Sequence, residues 1–105
     1  MERSLLIDDQ RTIYVDRVAR TFVDGIKALT EEGPWDVLYL DHDLGEEKTG
    51  YDILTWLEQN MDKRPGKIVL VTSNIVGRDR MALALCSFYT QKSLWEYVAP
   101  PEQQT

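Results

Sequence analysis

Four aspartates lie where apolar segments of the chain end, at Asp8 and Asp9 and again at Asp41 and Asp43. Carboxylates that are held close together raise one another's pKa unless a cation enters between them. Hard oxygen ligands of this kind suit Mg²⁺, which commonly takes one or two carboxylates together with water and phosphate oxygens. The pattern therefore predicts a Mg²⁺ site formed by these four aspartates. The alternative is that they only end strands and cap loops, as aspartate often does.

The single histidine of the chain, His42, lies between two of these aspartates, Asp41 and Asp43. An imidazole, whose unperturbed pKa is near neutrality, can act as a general acid or base. We therefore predict that Asp41 and His42 are catalytic. The alternative is a structural histidine that hydrogen-bonds to a neighbouring aspartate.

A further polar segment, Thr72-Ser73-Asn74, follows the apolar residues 68–71. Its serine and asparagine can bind phosphate oxygens, or they can satisfy backbone groups in a turn. The predicted start of a helix follows, and such ends bind anions through free amides and the helix dipole. We predict that phosphate contacts come from Ser73, Asn74, Arg78 and Arg11, with Arg80 as a further candidate.

These side chains need strands and helices that bring them to one place. Short apolar segments predict strands at residues 4–7, 35–40 and 67–71, and weaker patterns predict strands at 18–20 and 93–98. Helical spacing predicts a helix that begins after the N-cap Thr21 and two more at 51–60 and 78–89, with Cys86 in the core. Strands that alternate with helices pair in parallel through right-handed crossovers. Ligands of open parallel sheets bind beyond the carboxyl ends of the strands, which is where the polar segments fall.

The 105 residues fit one domain, which we place at 1–98, followed by a loose tail at 99–105. No apolar segment has the length of a signal peptide or a membrane span, and a single cysteine fits a reducing cytosol. We therefore expect a cytoplasmic protein with no targeting segment and no membrane partner.

The net charge of −6 disfavours non-specific binding to a nucleic-acid backbone, which needs clustered lysine and arginine. It is compatible with one phosphate bound through a metal ion or a few arginines, and hence with a phosphorylated small molecule or an RNA end as the ligand. It also suits a non-catalytic acidic protein, such as a phage-encoded one, that occupies a basic bacterial protein. The composition leaves both functions open.

The order of these residues resembles the receiver domains of response regulators. In that family an acidic pair after the first strand holds Mg²⁺, and an aspartate after a later strand accepts a phosphoryl group. The matching residues are Asp8, Asp9 and Asp41, with Thr72 or Ser73 after the next strand. The resemblance implies a compact, receiver-like α/β fold, which is a truncated flavodoxin-like three-layer sandwich around a mainly parallel sheet of four or five strands. It also makes phosphoacceptor signalling an alternative function.

A closer resemblance is to the cyclic-phosphate-processing receiver family, a small branch found in bacteria and their phages. It is carried by Leu6-Ile7-Asp8-Asp9-Gln10-Arg11, Leu40-Asp41-His42-Asp43-Leu44-Gly45, Thr49-Gly50-Tyr51-Asp52, Ser73-Asn74, and Val76-Gly77-Arg78 with Met81. The resemblance implies a metal-dependent phosphoester hydrolase that acts on cyclic-phosphate ends of nucleotides or RNA.

The chain departs from these families in two respects. The closer family usually has a histidine just before the serine of its Ser-Asn motif, where this chain has Thr72. A mechanism with two histidines would therefore lose one of them. Compared with ordinary receivers, the interval between Asp9 and Asp41 has room for only one full helix. After Asn74 there is little room for the strand that usually carries a lysine and for a final helix, and Lys92 is the only candidate lysine. Ordinary phosphorelay signalling is accordingly disfavoured.

Overall fold

A computed structural model, which describes residues 2–89 and 95–97, shows a five-stranded parallel sheet with three α-helices. The strands are β1 (Ser4–Ile7), β2 (Arg17–Ala19), β3 (Val37–Leu40), β4 (Lys67–Leu70) and β5 (Trp95–Tyr97), in the spatial order β2-β1-β3-β4-β5. The helices are α1 (Phe22–Glu31), α2 (Gly50–Gln59) and α3 (Ile75–Phe88), with a short 3₁₀ helix at Met61–Lys63. The truncated flavodoxin-like α/β fold expected from the sequence is confirmed.

One face of the sheet carries the main hydrophobic core. Successive residues of a strand point to opposite faces, and alternate residues of the three central strands are fully buried on this face: Leu5, Ile7, Leu38, Leu40, Ile68 and Leu70. All three helices pack against them through Leu29 of α1, Leu54 of α2 and Met81 of α3, among others. The helices therefore lie on one side of the sheet.

The opposite face of the sheet is covered in a different way. Leu6, Val69 and Val71 are buried there, and Ile13 and Val15 pack against them. The last two residues belong to the loop that connects β1 to β2. Within the described residues, the third layer of the sandwich is therefore this loop and contains no helix.

Side-chain caps set the starts of the helices, because they satisfy backbone amides that have no partner within the helix. Thr21 caps α1 as predicted, and its hydroxyl accepts the amide of Asp24 at 3.0 Å. Thr49 and Asp52 form a capping box at the start of α2. Asn74 caps α3, and this helix consequently begins three residues earlier than predicted.

The prediction that Cys86 lies in the core is wrong, because the residue is exposed on α3. Met81 and Leu85 of the same helix are buried and point to the core. Consecutive helical residues are rotated by about 100° around the axis. Cys86, which follows Leu85, is thereby turned away from the sheet.

The register of the central strands brings their carboxyl ends together. Ile7 pairs with Leu40, and Leu40 pairs with Leu70. Asp8 and Asp41, the residues that follow β1 and β3, therefore leave the sheet side by side. This edge is where the sequence predicts the ligand site.

Two predictions concern parts of the chain outside the described residues, namely the loose tail at 99–105 and Lys92. In the described part, no helix has the length and the apolar character needed to cross a membrane.

Candidate metal and phosphate site

Three of the four predicted metal ligands converge at the carboxyl edge of the sheet. One carboxylate oxygen from each of Asp8, Asp9 and Asp41 lies within 4.8 Å of the other two. The ends of β1 and β3 position Asp8 and Asp41, and the loop after β1 positions Asp9. Three carboxylates at this separation repel one another, and a cation offsets that repulsion. The cluster could therefore hold a metal ion.

Asp8 is the most deeply buried member of this acidic cluster, with 2% of its surface exposed. Its Oδ1 accepts the backbone amides of Gln10 and Arg11, each at 2.9 Å. Its Oδ2 is buried and has no hydrogen-bond partner. The Nε of Arg11 is 3.9 Å from this oxygen, which is beyond hydrogen-bond range. Because a buried carboxylate oxygen without a partner is costly, this atom fits the role of a metal ligand.

Asp41 is half-buried, and this burial raises the pKa of its carboxyl group above the ordinary value. The Thr72 hydroxyl, which donates a hydrogen bond to Asp41, opposes the rise, whereas the negative charge of Asp8 increases the pKa further. The His42 amide donates to Oδ1 of Asp41 at 2.8 Å and also lowers the pKa. A cation at the cluster would favour the ionised form that burial and repulsion disfavour.

The acidic cluster forms one wall of an open pocket of about 320 Å³. Gln10, Arg11 and Ser73 complete its lining. The guanidinium of Arg11 also donates to the carbonyl of Val71, so its side chain reaches from the loop after β1 to the end of β4. Two of the four predicted phosphate-binding residues, Arg11 and Ser73, thus line the same pocket as the three aspartates.

His42 forms a separate group with Asp43 and Asn74. Its Nδ1 is 3.1 Å from Oδ1 of Asp43, and Nδ2 of Asn74 is 3.2 Å from Oδ2 of Asp43. An ionised carboxylate only accepts hydrogen bonds. Nδ2 of Asn74 lies 3.4 Å from Nδ1, farther than the Asp43 oxygen. Because the shorter contact is with the carboxylate, we assign the ring proton to Nδ1, which leaves Nε2 of His42 as an acceptor. The structure therefore places Asp43 against the imidazole, outside the acidic cluster.

Two glycines allow the helices to approach this group closely. A Cβ on Gly77 would lie 2.6 Å from Cδ2 of His42, so the first turn of α3 packs against the imidazole. A Cβ on Gly50 would overlap the carbonyl oxygen of Asp41. The amide of Gly50 donates to the carbonyl of His42 at 2.7 Å. The starts of α2 and α3 thereby fix the segment that carries the candidate catalytic residues.

The remaining arginine candidates lie on α3 and do not line the pocket. Nη2 of Arg78 is 3.2 Å from Oδ1 of Asp79. The guanidinium of Arg80 lies over the ring of Tyr51, with 5.7 Å between Cζ and the ring centroid. The predicted role of Arg78 in phosphate binding stays a prediction.

Thr72, which stands where the closer family usually has a histidine, is buried at the end of β4 with 3% of its surface exposed. Its hydroxyl accepts the amide of Asn74 at 3.0 Å and donates to Asp41. Thr72 therefore links the segment Ser73-Asn74, which contains two predicted phosphate contacts, to the acidic cluster.

Two residues at the site are not predicted as site residues from the sequence, Gln10 and Arg20. Gln10 lines the pocket, and its position directly after the aspartate pair is a usable signal. Arg20 donates to the carbonyl oxygens of Asp8 and Arg11. These contacts depend on the pairing of β1 with β2, so no local pattern in the sequence marks them.

Comparison with known protein families shows which family this chain belongs to. A family model described as the cyclic-phosphate processing receiver domain matches residues 3–87. The chain belongs to this family. The match covers this cyclic-phosphate processing receiver domain from β1 to one residue before the end of α3. The resemblance seen in the sequence motifs is therefore confirmed. A search of curated proteins found no match.

Two solved structures share the fold of this receiver domain. One is DrrB from Thermotoga maritima, a response regulator described as an OmpR/PhoB homolog, with 18% identity and a TM-score of 0.64 over 96% of this chain and 46% of that one. The other is a fusion containing amino acids 181–211 of the yeast Spc42 trimeric coiled coil, with 14% identity and a TM-score of 0.63 over 93% of this chain and 66% of that one. The chain thus spans about two thirds of the length of one relative and less than half of the other.

Proposed function

We propose that this cytoplasmic receiver-like domain binds Mg²⁺ and a phosphate-bearing ligand at the carboxyl edge of its sheet, and that it hydrolyses cyclic phosphates of nucleotides or RNA ends. The observation that carries the proposal is the buried, unpartnered Oδ2 of Asp8 within a cluster of three carboxylates. The family match supports the choice of a cyclic phosphate as the reacting group.

The residues present fit a divalent cation. Asp8, Asp9 and Asp41 would hold it, since they supply the hard oxygen ligands that Mg²⁺ prefers. A bound divalent cation would offset the negative charge that develops on the phosphate oxygens during hydrolysis. Asp43 has another role in this proposal, because its carboxylate contacts the imidazole instead of the cluster.

The phosphate would lie in the pocket beside the acidic cluster. Arg11 supplies the positive charge in the lining, and Ser73 supplies a hydroxyl that can donate to a phosphate oxygen. An arginine can give two parallel hydrogen bonds to a phosphate, which fixes the orientation of the group. The Arg11 guanidinium would then exchange its bond to the Val71 carbonyl for bonds to the ligand.

Hydrolysis adds one water oxygen to phosphorus, breaks one ring P–O bond and leaves a phosphomonoester and a free hydroxyl group. His42 would take the proton of the attacking water at Nε2, because Nδ1 donates to Asp43. Asp43 thereby keeps the ring in the required tautomer. Since the chain has a single histidine, the proton on the departing oxygen would come from solvent.

The test follows a 2′,3′-cyclic nucleotide by ³¹P NMR with the protein and Mg²⁺. We expect the cyclic diester signal to be replaced by a monoester signal, with loss of turnover in EDTA. Asp41→Asn and His42→Ala should each abolish most of the activity. Asp62→Asn, which removes an exposed carboxylate on the 3₁₀ helix, is the matched control and should leave turnover unchanged. Turnover that persists in both site variants would contradict these roles.

A non-catalytic acidic interaction protein is the second candidate function, and Thr72 in place of the family histidine favours it. The partner would be a bacterial protein with a basic surface, given the net charge of −6. This function predicts that one purified partner binds the wild-type chain and the triple variant Asp8→Asn, Asp9→Asn, Asp41→Asn with equal affinity. Loss of binding in the triple variant would exclude it.

Phosphoacceptor signalling is a third candidate, favoured by the similarity to the fold of a response regulator. It predicts that a small phosphodonor adds one phosphoryl group to Asp41 when Mg²⁺ is present. Intact-mass measurement of the wild-type chain and Asp41→Asn decides this, because an unchanged wild-type mass would rule the function out.

A further inference from the structure

We propose that Arg20 is a positioning residue for the acidic cluster, since it fastens the loop that carries Asp8, Asp9 and Arg11. The inference rests on the proposed metal site and assigns a role to a residue that does not touch the ligand. Arg20 lies directly after β2, the strand that pairs with β1.

The guanidinium of Arg20 makes three hydrogen bonds to the segment 8–12. Its Nη1 donates to the carbonyl oxygen of Asp8 at 3.1 Å and to that of Arg11 at 2.6 Å. Its Nη2 donates to Oγ1 of Thr12 at 2.6 Å. One side chain thus satisfies acceptors at both ends of the turn that follows β1. The planar, fixed geometry of the guanidinium group makes this arrangement specific to arginine.

The Asp8 side chain bonds to the same turn. Its Oδ1 accepts the backbone amides of Gln10 and Arg11, while Arg20 donates to the backbone carbonyl groups of Asp8 and Arg11. Because no helix lies between β1 and β2, the turn has no regular secondary structure of its own. Arg20 therefore supplies the restraint that sets the direction of the Asp9 and Arg11 side chains.

The segment next to Arg20 also holds the second loop of the site. The amide of Phe22, at the start of α1, donates to Oε2 of Glu46 at 2.7 Å. Glu46 follows Gly45, whose backbone lies against the carboxylate of Asp9, since a Cβ there would be 2.9 Å from Asp9 Oδ2. The junction between β2 and α1 is therefore a common support for both loops that surround the acidic cluster.

Electrostatics and positioning predict opposite effects of removing this arginine. A cation near an acidic site repels a second cation, so the loss of its charge alone would strengthen Mg²⁺ binding. Loss of a residue that orients metal ligands instead weakens binding, typically about 10- to 100-fold. The sign of the change in metal affinity therefore separates the two effects.

The experiment is an NMR titration with Mg²⁺ at constant ionic strength, in which the amides of Gln10 and Arg11 report on Asp8. We expect Arg20→Ala and Arg20→Lys each to weaken binding by about tenfold or more. Arg20→Lys keeps the positive charge and removes the planar arrangement of guanidinium donors that makes the three hydrogen bonds. Lys27→Ala, which removes an exposed cation from α1, is the matched control and should leave affinity unchanged or slightly higher.

Thermal unfolding of the metal-free variants accompanies the titration. If Arg20→Ala does not fold, Arg20→Lys and Thr12→Val, which removes one of the three acceptors, carry the test. Unchanged or tighter Mg²⁺ binding in the folded variants would overturn the role of Arg20. Absence of Mg²⁺ binding by the wild-type chain would instead refute the proposed metal site itself.

Discussion

The imidazole of His42 packs directly against the backbone of Gly77, so that the candidate catalytic residue is in van der Waals contact with the first turn of α3. A side chain at position 77 would occupy the space of the ring, because its Cβ would lie 2.7 Å from Nδ1 of His42. The glycine is therefore needed for close approach of the helix, and its substitution should displace the imidazole of His42.

We predict that Gly77→Ala destabilises the fold by about 1–3 kcal/mol, the usual cost of overpacking, and shifts the His42 ring resonances in NMR spectra. Gly25→Ala is the matched control on α1. The nearest neighbours of its Cβ would be side-chain atoms of the buried Ile7, with Cδ1 at 2.8 Å, so this variant tests overpacking at a different place and should leave the His42 ring signals unmoved. A Gly77→Ala variant as stable as the wild type, with unmoved ring signals, would disprove this packing.

Asp41→Asn should raise the melting temperature at pH 7 when no divalent cation is present. Burial raises the pKa of Asp41 above its ordinary value of 3.8. The protonated form therefore favours the folded state, and this contribution is lost as the pH rises through the folded-state pKa. The advantage of the variant should shrink as the pH falls through the raised pKa of Asp41, where the wild-type carboxyl group takes up its proton.

Asp24→Asn is the control of opposite sign for that experiment. Hydrogen bonds from Arg17 lower the pKa of Asp24, so its ionised form favours the folded state above the ordinary pKa. This variant should be less stable than the wild type at pH 7, and its deficit should vanish in strong acid. Thermal melts in EDTA across this pH range measure both variants. Equal shifts for Asp41→Asn and Asp24→Asn would show that the pKa of Asp41 is not raised.

Thr72→Val should destabilise the fold by about 1–3 kcal/mol, the cost of leaving buried polar groups without partners. The valine keeps the shape of threonine but removes the hydroxyl that accepts the Asn74 amide and donates to Asp41. Thr72→Ser retains the hydroxyl and is the control. Urea unfolding gives the two free energies, and equal stability of the valine and serine variants would show that the hydroxyl bonds are unimportant.

The positions of the sheet and of the acidic cluster could be predicted from the sequence because both depend on short-range patterns. The apolar segments before Asp8 and Asp41 define strands, and parallel pairing fixes which ends meet. The same reasoning cannot tell on which side of a loop a side chain emerges. It consequently grouped Asp43 with the metal ligands, whereas the structure places it against His42.

The start of α3 and the role of Arg20 show a different limit. The sequence prediction began the helix at Arg78, whereas Asn74 caps the helix, which begins at Ile75. That cap is a local contact, because Oδ1 of Asn74 accepts the amide of Gly77 at 2.9 Å, and asparagine is a preferred N-cap residue, so the sequence did contain a signal for it. The contacts of Arg20 with the turn after β1, in contrast, exist only once β1 and β2 have paired. Local propensity contains no information about such contacts.

The most direct test of the central claim is a titration of the wild-type chain with Mg²⁺, observed by NMR at constant ionic strength. The amides of Gln10 and His42 donate to the carboxylates of Asp8 and Asp41, so they report on the proposed ligands. We predict saturable shifts of these two amides with one ion bound per chain, and their loss in Asp8→Asn but not in Asp62→Asn. Absence of saturable shifts at millimolar Mg²⁺, or equal shifts in Asp8→Asn, would contradict the metal site and the function built on it.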